Sequence, residues 1–456
     1  MKNLLSVIFF LCFMLSTLQV HAQNSETFVF HKMSVLTMET DEVLRDYSII
    51  VENDEIVWVG PSSEVKIPEG ATVIEGDVYV MPGLAEMHAH IPPQNQGEQR
   101  MKDTLVLYLS QGITTIRGML GQPAHLELRE QAARGEIISP RIFTSGPSFN
   151  ANSVQNAEQA REMVRNQVEA GYDLLKFHPG IQPEYFDAIT DEANTLGIEF
   201  SGHISHRVGL VRSLEAGKGS IDHLDRYMEY LSGDPEDRED PPIIYFGYDL
   251  AFDADVEKIP EAVRITREAD VWNVHTNTLL ENIFNPDNDV EDMKNWPGME
   301  FIPSSTLEGW GNFVTNLRSS EVYNEEQARK FLQIRLDLTR ALHEEGAGLL
   351  LGADAPQIFN PPGFSIFREL ELLTRAGLSN FEALKTGTVN VGIYLGEENK
   401  TGKIAEGFRA DLIFLSSNPL DDIMFYNNIE GVMAQGRFLI RFDLDELLEE
   451  IKERVD

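Results

Sequence analysis

Two histidines separated by one small residue end the apolar run MPGLAEMHAHIP. In an extended strand, residues i and i+2 point to the same side, so His88 and His90 would direct two imidazoles into one space. Imidazole is a common metal ligand, and such a pair would supply part of a metal site. Because a His-x-His pair also occurs by chance, the prediction requires further ligands elsewhere in the chain.

Further candidate ligands stand at the ends of short apolar segments that we interpret as strands. Lys176 ends DLLK, His203 ends EFSGH, His223 lies in SIDH, and Asp354 ends LLLGAD. Taken singly, each has an ordinary structural alternative, such as Asp354 capping the helix that follows it. Taken together, four imidazoles and a carboxylate at successive strand ends predict a site for zinc or a similar divalent ion.

Lys176 is the least obvious ligand of this set, because an ammonium group has no lone pair. Burial near other cations would remove its proton. A neutral lysine amine reacts with carbon dioxide to give a carbamate, whose two oxygens can bridge two metal ions. We therefore keep Lys176 among the candidate ligands.

The elements that would position these residues alternate between strand and helix through the middle of the chain. Counting GLAEMHAH, eight short apolar strands are separated in many places by helical stretches such as VQNAEQAREMVRNQVEAG. This α/β alternation predicts a parallel sheet, and eight strands are the number required by a (β/α)8 TIM barrel over residues 83–400. Longer insertions follow strands six and seven, and we expect them to wall a substrate pocket, since barrel sites are built from the loops after the strands.

Both ends of the chain are rich in short strands instead. SIIVENDEIVWVG predicts a hairpin with Asn53-Asp54 as its turn. Two segments near the C-terminus, ADLIFLSSNP and GVMAQGRFLIRF, have the same pattern of short strands broken by turns. We expect one small composite β-sandwich made of residues 23–82 plus 401–443, followed by an acidic amphipathic helix over 444–456.

Residues 1–22 have the parts of a signal peptide. Lys2 is followed by an apolar run from Leu4 to Leu15, and Val20-His21-Ala22 forms a small-residue cleavage pattern. An uncleaved anchor is the alternative, although the run is short for a membrane span. The single cysteine, Cys12, lies inside this run, so the mature chain would have no disulfide. The expected location is the periplasm or the exterior.

The charge balance limits the partners. The chain has 37 basic and 74 acidic residues and a net charge of −37. Nucleic acid and anionic membrane surfaces are therefore poor partners. No segment after the signal is expected to insert into a membrane. We expect a small-molecule substrate. The sequence leaves open whether the protein forms a homo-oligomer.

The motifs MPGLAEMHAH, LLKFHPG, SGH, IDH and LLGAD together resemble the metal-dependent amidohydrolase superfamily, and so does the tail from GFSIFRELELLTRAGL to GKIAEGFRADLIFLSSNPLDD. The branch most similar to this chain contains imidazolonepropionase-like and Xaa-Pro dipeptidase-like members. The resemblance covers nearly the whole mature chain and implies the same barrel and composite sandwich.

The resemblance also implies a binuclear centre of two divalent ions, with zinc expected. His88 and His90 would bind the more buried ion, and His203 and His223 the other. A carboxylated Lys176 would bridge the two ions. Asp354 would contact the first ion and act as the catalytic base.

The chain departs from the family pattern at two places. Arg117 is followed by Gly118 where an Arg-Asp pair is common, and SGPSFNANSVQNAEQ lacks a Gly-Gly-His loop. Neither change removes a proposed metal ligand, but both bear on substrate specificity.

The loops after predicted strands five and six contain candidate substrate contacts. His206, Arg226 and Tyr227 are the candidates, with Arg226 able to grip a carboxylate through two hydrogen bonds. The alternative for this arginine is a surface ion pair. His275 and Thr278 either line the pocket or pack in the core, and His125 is expected at the surface.

Three functions remain open at this point. The first is an exported amidohydrolase that cleaves a dipeptide such as Xaa-Pro or an N-acyl amino acid. The second uses the same centre on a lactone, a cyclic amide or a phosphoester. The third is a catalytically silent scaffold or binding protein, which ranks last because no expected ligand is missing.

Overall fold

The computed structural model describes residues 26–233 and 246–455. The expected signal peptide, residues 1–22, lies outside the described residues. So does most of the acidic insertion that follows the sixth predicted strand.

The strands, numbered in chain order, are β1 Thr27–Leu36, β2 Val43–Glu52, β3 Glu55–Pro61, β4 Thr72–Glu75, β5 Tyr79–Pro82, β6 Leu84–Ala89, β7 Ile113–Gly118, β8 Arg141–Thr144, β9 Leu174–Phe177, β10 Glu199–Gly202, β11 Ser220–Asp222, β12 Trp272–Val274, β13 Leu349–Leu350, β14 Leu412–Leu415, β15 Ile429–Ala434 and β16 Arg437–Ile440.

The helices are α1 Glu98–Ser110, α2 Pro123–Ala133, α3 Ala157–Ala170, α4 Pro183–Leu196, α5 Gly209–Glu215, α6 Tyr227–Ser232, α7 Ile259–Glu268, α8 Asn277–Phe284, α9 Val290–Met293, α10 Ser304–Arg318, α11 Glu325–Glu345, α12 Ser365–Ala376, α13 Asn380–Thr386, α14 Val389–Tyr394 and α15 Arg441–Lys452.

The two ends of the chain build one sheet. Its order is β16-β15-β14-β5-β1-β2-β3, with β4 paired in parallel to β1. The predicted hairpin is confirmed: Glu52 pairs with Glu55 across a turn at Asn53, whose φ of 59° is left-handed. Phe30 of β1 packs on Phe414 of β14, with ring centroids 4.6 Å apart. A common core therefore joins the N- and C-terminal strands.

The middle of the chain forms parallel sheets, as predicted. β6, β7 and β8 make one sheet, and the strands from β9 to β13 make a second, with every pairing parallel. Isolated parallel bridges join Ser145 to Leu174 and Ala89 to Ala355. These bridges connect β8 to β9 and the segment after β13 to β6. All eight strands thus point their carboxyl ends in the same direction.

The connections lengthen late in this series, as the spacing predicted. Between β12 and β13 the chain makes α8, α9, α10 and α11, and α6 and α7 lie between β11 and β12, whereas each earlier pair of strands from β6 to β11 is joined by a single α-helix. The extra helices carry their own apolar cluster, which includes Met293, Val314 and Phe359. The insertion is therefore a packed structure with its own core.

The C-terminal helix α15 begins at Arg441, three residues before the predicted start at 444. Its buried Leu444 and Ile451 face the body of the protein. Just beyond it, Arg454 donates to Asp103 of α1 over 2.8 Å. The predicted division of the chain into domains stays a prediction.

One residue expected at the surface is buried. His125 lies on α2 but is only 1% exposed, and its Nε2 lies 3.2 Å from the carbonyl oxygen of Pro92. His125 was expected at the surface because it is polar and lies in a helical stretch. It is buried because its imidazole pairs with a carbonyl oxygen of a separate loop, and local sequence does not reveal that contact. Among the described residues, no helix has the length and apolar character needed to cross a membrane.

Candidate metal centre

The six predicted ligands come from five parallel strands or from the residues directly after them. His88 lies in β6, His90 directly after it, and Lys176 in β9. His203 and His223 follow the last residues of β10 and β11, and Asp354 follows β13. Because these strands are parallel, the residues meet at one edge, where α/β proteins place their sites.

The Asp354 carboxylate lies at the middle of the cluster. Its Oδ1 is 2.7 Å from His90 Nε2 and 3.6 Å from His88 Nε2, while its Oδ2 is 3.9 Å from His223 Nδ1. Burial alone would raise the pKa of Asp354, but the imidazoles of His88 and His90 hold it below its usual range. The carboxylate is therefore ionised and able to bind a cation.

Lys176 completes the inner part of the cluster. Its Nζ lies 3.4 Å from His88 Nε2 and 3.4 Å from Asp222 Oδ2, and the side chain is fully buried. Burial lowers the pKa of Lys176, although the Asp222 carboxylate opposes this shift. The amine is thus biased toward the neutral form, which is the form that reacts with carbon dioxide.

The imidazoles form a continuous row. The ring centroids of His88 and His90 are 5.3 Å apart, those of His88 and His223 are 4.6 Å apart, and those of His203 and His223 are 4.4 Å apart. Burial lowers the pKa of His88 to about 4 and that of His223 well below its ordinary value. Both rings are therefore neutral near pH 7, as metal ligation requires.

The outer nitrogens of three rings have fixed partners. Nδ1 of His203 is hydrogen-bonded to Asp225 Oδ2 at 2.9 Å, and Nδ1 of His88 lies 2.9 Å from Asp222 Oδ2 in an ion-pair contact without hydrogen-bond geometry. Nδ1 of His223 lies 2.8 Å from the hydroxyl of Thr276. Such partners set the tautomer and orientation of ligating histidines.

The donor set fits divalent cations. Nε2 of His223 is buried and has no hydrogen-bond partner among the residues in 26–233 and 246–455. One ligand atom from each of His88, His90 and Asp354 falls within 4.8 Å of the others. Neutral imidazole with carboxylate is a common ligand set of zinc, and a cation would satisfy the orphaned nitrogen.

Asp222 and Asp225 are the functional residues that the sequence analysis did not single out. Both flank His223 in the segment IDHLD, of which only the histidine was predicted to be a ligand. Arg117, noted only as a departure from the family pattern, donates to Asp222 Oδ1 at 3.4 Å and to the carbonyl oxygen of Met87 at 2.8 Å. Their closeness in sequence to a predicted ligand histidine was the signal that could have identified Asp222 and Asp225.

The backbone at the strand ends adopts conformations that are uncommon for residues with side chains. His223 has a φ of 65° and Asp354 a φ of 61°. Left-handed conformations cost free energy outside glycine and persist where the surroundings impose them. At Gly202 a side chain is excluded by lack of space, because a Cβ there would lie 2.7 Å from Lys176 Cδ. The SGH motif therefore makes room for the lysine.

Two buried residues with ionisable side chains, Arg335 and Glu86, hold the backbone around the centre. Arg335 of α11 donates to the carbonyl oxygens of His223 and His275, each over 2.7 Å. Glu86 accepts hydrogen bonds from the backbone N–H groups of His88 and Ala353, at 3.2 and 2.8 Å. Arg335 thus ties together the loops after β11 and β12, and Glu86 ties β6 to the segment after β13.

A cavity of about 390 Å³ opens onto the cluster. It is lined by His88, His90, His203 and Asp354 on one side. The rest of the lining mixes polar side chains, such as Gln122, with apolar residues, which include Ile302, Pro303 and Trp310 of the insertion after β12. Part of that insertion therefore walls the pocket, as expected.

The tentative substrate contacts do not line this cavity. The guanidinium of Arg226 donates to the carbonyl oxygen of Ile204 at 2.8 Å and pairs with Glu229. Nδ1 of His206 lies 3.3 Å from the same guanidinium. Tyr227 is fully buried, and its hydroxyl donates to Asn273 Oδ1 at 3.1 Å. All three side chains are occupied within the fold, so their role as substrate contacts gains no support from the geometry.

His275 and Thr278 are packing residues. Both are fully buried, and neither lines the cavity. The His275 ring pairs with Glu369, and the backbone N–H of Thr278 donates to the same carboxylate at 2.6 Å. The sequence left open whether His275 and Thr278 line the pocket or pack in the core. Their contacts with the buried Glu369 of α12 place both in the core.

Curated relatives are similar to this chain at low identity. The ochratoxinase of Aspergillus niger is 19% identical over 460 residues, which cover 86% of this chain and 82% of the relative. The imidazolonepropionase of Rubrobacter xylanophilus is 40% identical over 108 residues, covering 22% of this chain and 25% of the relative.

Solved structures share the fold over nearly the full length. A candidate prolidase from Bifidobacterium longum has a TM-score of 0.69 and 26% identity, covering 94% of this chain and 99% of that chain. A Xaa-Pro dipeptidase with bound methionine has a TM-score of 0.66 and 18% identity, covering 91% of this chain and 100% of that chain.

The amidohydrolase family model matches residues 79–439, which include all six residues of the cluster. This match spans most of the chain and every strand from β6 to β13. The chain belongs to the amidohydrolase family and is a hydrolase that acts on amide bonds.

Proposed function

We propose that this protein is an exported binuclear-metal amidohydrolase that cleaves the amide bond of a small substrate. The substrate is a dipeptide such as Xaa-Pro or an N-acyl amino acid. The observation that carries the proposal is the convergence of four imidazoles, Lys176 and Asp354 beside a cavity of small-molecule size. The resemblance to a Xaa-Pro dipeptidase and to an ochratoxinase supports it.

The proposal includes one closed barrel of eight parallel strands, from β6 to β13. The bridges from Ser145 to Leu174 and from Ala89 to Ala355 support this closure. The hydrogen bond from the backbone N–H of His90 to the carbonyl oxygen of Ala355, 2.8 Å long, lies at the same junction. The sheet built from both chain ends would form the composite β-sandwich beside the barrel.

Each ligand is assigned to one of two ions, which we take to be zinc. His88, His90 and Asp354 would hold the more buried ion, and His203 and His223 the other. Lys176, as a carbamate, would bridge them, and its complete burial and lowered pKa support that modification. Two divalent ions in such a site supply an activated water and polarise a carbonyl group.

The protein's own groups manage the proton. Asp354 accepts the proton of the attacking water and then donates it to the leaving nitrogen, which is the work of a general base followed by a general acid. His90 Nε2 lies 2.7 Å from Asp354 Oδ1, so the imidazole and the carboxylate are placed to share one cation. Trp310 and the neighbouring apolar residues limit access of bulk water to the bond being cleaved.

Export rests on the N-terminal residues alone. The positive start, the apolar run and the small-residue pattern within residues 1–22 support secretion to the periplasm or the exterior. Expression of the full chain, followed by N-terminal sequencing of the exported product, tests this proposal. A product that begins at Gln23 supports it, and a chain retained inside the cell with residues 1–22 intact contradicts it.

The decisive experiment combines metal analysis with substrate hydrolysis on one sample. We expect about two divalent ions per chain and chelator-sensitive cleavage of Xaa-Pro dipeptides or N-acyl amino acids. Selective cleavage of lactones, cyclic amides or phosphoesters would keep the centre but change the bond. An absence of bound metal and of turnover, after addition of zinc and bicarbonate, would contradict the proposal and favour a scaffold role.

A further inference from the structure

Arg100 is the one cationic side chain, histidines aside, among the described residues that line the cavity at the metal centre. It lies on α1, the helix that follows β6 and its two ligand histidines. Thr104, one turn later on the same helix face, lines the cavity as well. Arg100 and the predicted ligands therefore face the same substrate space.

The guanidinium of Arg100 has only weak partners within the described residues. Its Nη1 and Nη2 reach the carbonyl oxygen of Phe301 at 3.4 and 3.5 Å, which is long for a hydrogen bond. The Asp103 carboxylate, which favours the charge of Arg100 electrostatically, accepts hydrogen bonds from Gln99 at 2.9 Å and from Arg454 at 2.8 Å. An arginine normally donates several strong hydrogen bonds, so this one retains capacity for a ligand.

The position of Arg100 does not serve the helix. It is the third residue of α1, where the positive end of the helix dipole disfavours a cation. Burial lowers the pKa of Arg100 and opposes its charge further. Neither the helix nor burial therefore favours the charge of Arg100, whereas an anion bound beside it would.

The cavity lacks a matching negative charge for an amino group. Asp354 is the one acidic residue that lines it within the described ranges, and the cluster occupies that carboxylate. Most other lining residues are apolar, including Pro93, Ile302 and Trp310. An ammonium group entering this space would lose hydration without gaining a counter-charge.

We propose that Arg100 binds the free carboxylate of the substrate through a bidentate pair, and that the substrate is an N-acyl amino acid with an apolar side chain. This inference rests on the proposed amide hydrolysis and chooses between its two substrate classes. A dipeptide with a free amino group is the class that the cavity disfavours. Hydrolysis breaks the acyl C–N bond, adds the hydroxyl of water to the acyl carbon and its proton to nitrogen, and releases a carboxylic acid and an amino acid.

The binding test uses a ligand that cannot be cleaved. In the ketomethylene analogue of N-acetyl-L-phenylalanine, CH2 replaces the amide NH while the carboxylate and the carbonyl remain. Calorimetry on the metal-loaded protein compares this acid with its neutral carboxamide. We expect the acid to bind at least about tenfold more tightly, since charge-assisted pairs are the stronger hydrogen bonds.

Variants then assign the preference to one residue. Arg100→Met should abolish the preference for the acid, and Arg100→Lys should retain part of it, because lysine keeps the charge but not the planar fork. Arg134→Met is the matched control, since Arg134 is exposed and pairs with Glu136 at 2.6 Å. If Arg100→Met binds the acid and the carboxamide as the wild type does, Arg100 is not the anchor.

The turnover test addresses the substrate class. N-acetyl-L-phenylalanine should be cleaved with a kcat/KM at least about tenfold above that of L-alanyl-L-phenylalanine, and Arg100→Met should raise KM for the former. If the dipeptide is cleaved equally well, the proposal that N-acyl amino acids are the substrate class is wrong. If no amide is cleaved while the Arg100-dependent acid preference persists, the anchor stands and the proposed hydrolysis fails. The two failures are thereby distinguished.

Discussion

The amine of Lys176 lies 3.4 Å from Nε2 of His88, and both side chains are buried. Burial disfavours an ammonium at this place, whereas the Asp222 carboxylate, 3.4 Å from the amine, favours it. In the function proposed above, the neutral amine would carry a carbamate that shares cations with the imidazole. The pair would then determine whether the centre holds one ion or two.

Replacing Lys176 by Ala should remove one of two metal ions and most of the activity, because the bridge between them is lost. Elemental analysis and hydrolysis of an N-acyl amino acid measure both effects. Lys218→Met is the matched control, since Lys218 is also buried but donates to the carbonyl oxygen of His203 at 3.2 Å. A Lys176→Ala protein with two ions and full turnover would show that the bridge is wrong.

Asp354→Asn should lower kcat by about 10²–10⁴-fold, the range that general acid–base catalysis contributes. The amide has nearly the same shape as the carboxylate, so the fold should be preserved while proton acceptance is lost. Steady-state kinetics with metal analysis separate the lost base from a lost ligand. Activity within a few-fold of the wild type would exclude Asp354 as the base.

Asp225→Ala should weaken metal binding by about 10–100-fold without removing a ligand. The Asp225 carboxylate lies 2.9 Å from Nδ1 of His203 and fixes the orientation of that ring. Competition with a chelator of known affinity measures the change. As a control, Asp187→Ala removes an exposed carboxylate that pairs with Arg212 and should leave metal affinity unchanged.

Removal of metal should abolish amide cleavage and lower the melting temperature. Without cations, the buried row of imidazoles loses its shared partner, and a ligand present at about 1,000 times its dissociation constant stabilises a protein by roughly 4 kcal/mol. Calorimetric melting before and after chelation, and again after zinc and bicarbonate are restored, checks this expectation. An unchanged melting temperature in protein whose metal loss has been verified would argue against a structural contribution of the ions.

Phe30→Ala should destabilise the protein by about 3–5 kcal/mol, the usual cost of truncating a buried aromatic residue. Phe30 is fully buried and packs on Phe414 and Phe438, whose ring centroids lie 4.6 and 5.2 Å away. Denaturant unfolding measures the loss. Phe442→Ala, at a side chain that is 63% exposed, should change stability by no more than about 0.5 kcal/mol. Equal effects of the two substitutions would show that the joint sheet is not a stabilising core.

The sequence by itself identified the set of candidate ligands and the parallel strands that carry them. His88 and His90 share one side of a strand because side chains alternate along it, and this follows from local spacing alone. The alternation of strand and helix then predicted parallel strands whose carboxyl ends meet at one edge. Both chain ends are rich in short strands, which predicted that they fold together. β1 and β14 do lie in one sheet.

Only the tertiary structure decided the partners of these residues. Asp354 and His90 are 264 residues apart in the chain but 2.7 Å apart in space, and local periodicity does not encode such a distance. The same holds for Arg226 and Tyr227, whose polar groups pair inside the fold, and for Arg100, which faces the cavity. The direction of a long polar side chain depends on how its helix packs against distant segments. Strand-end positions could therefore be read from the sequence, whereas the carboxylates behind the histidines and the cation in the pocket required the assembled fold.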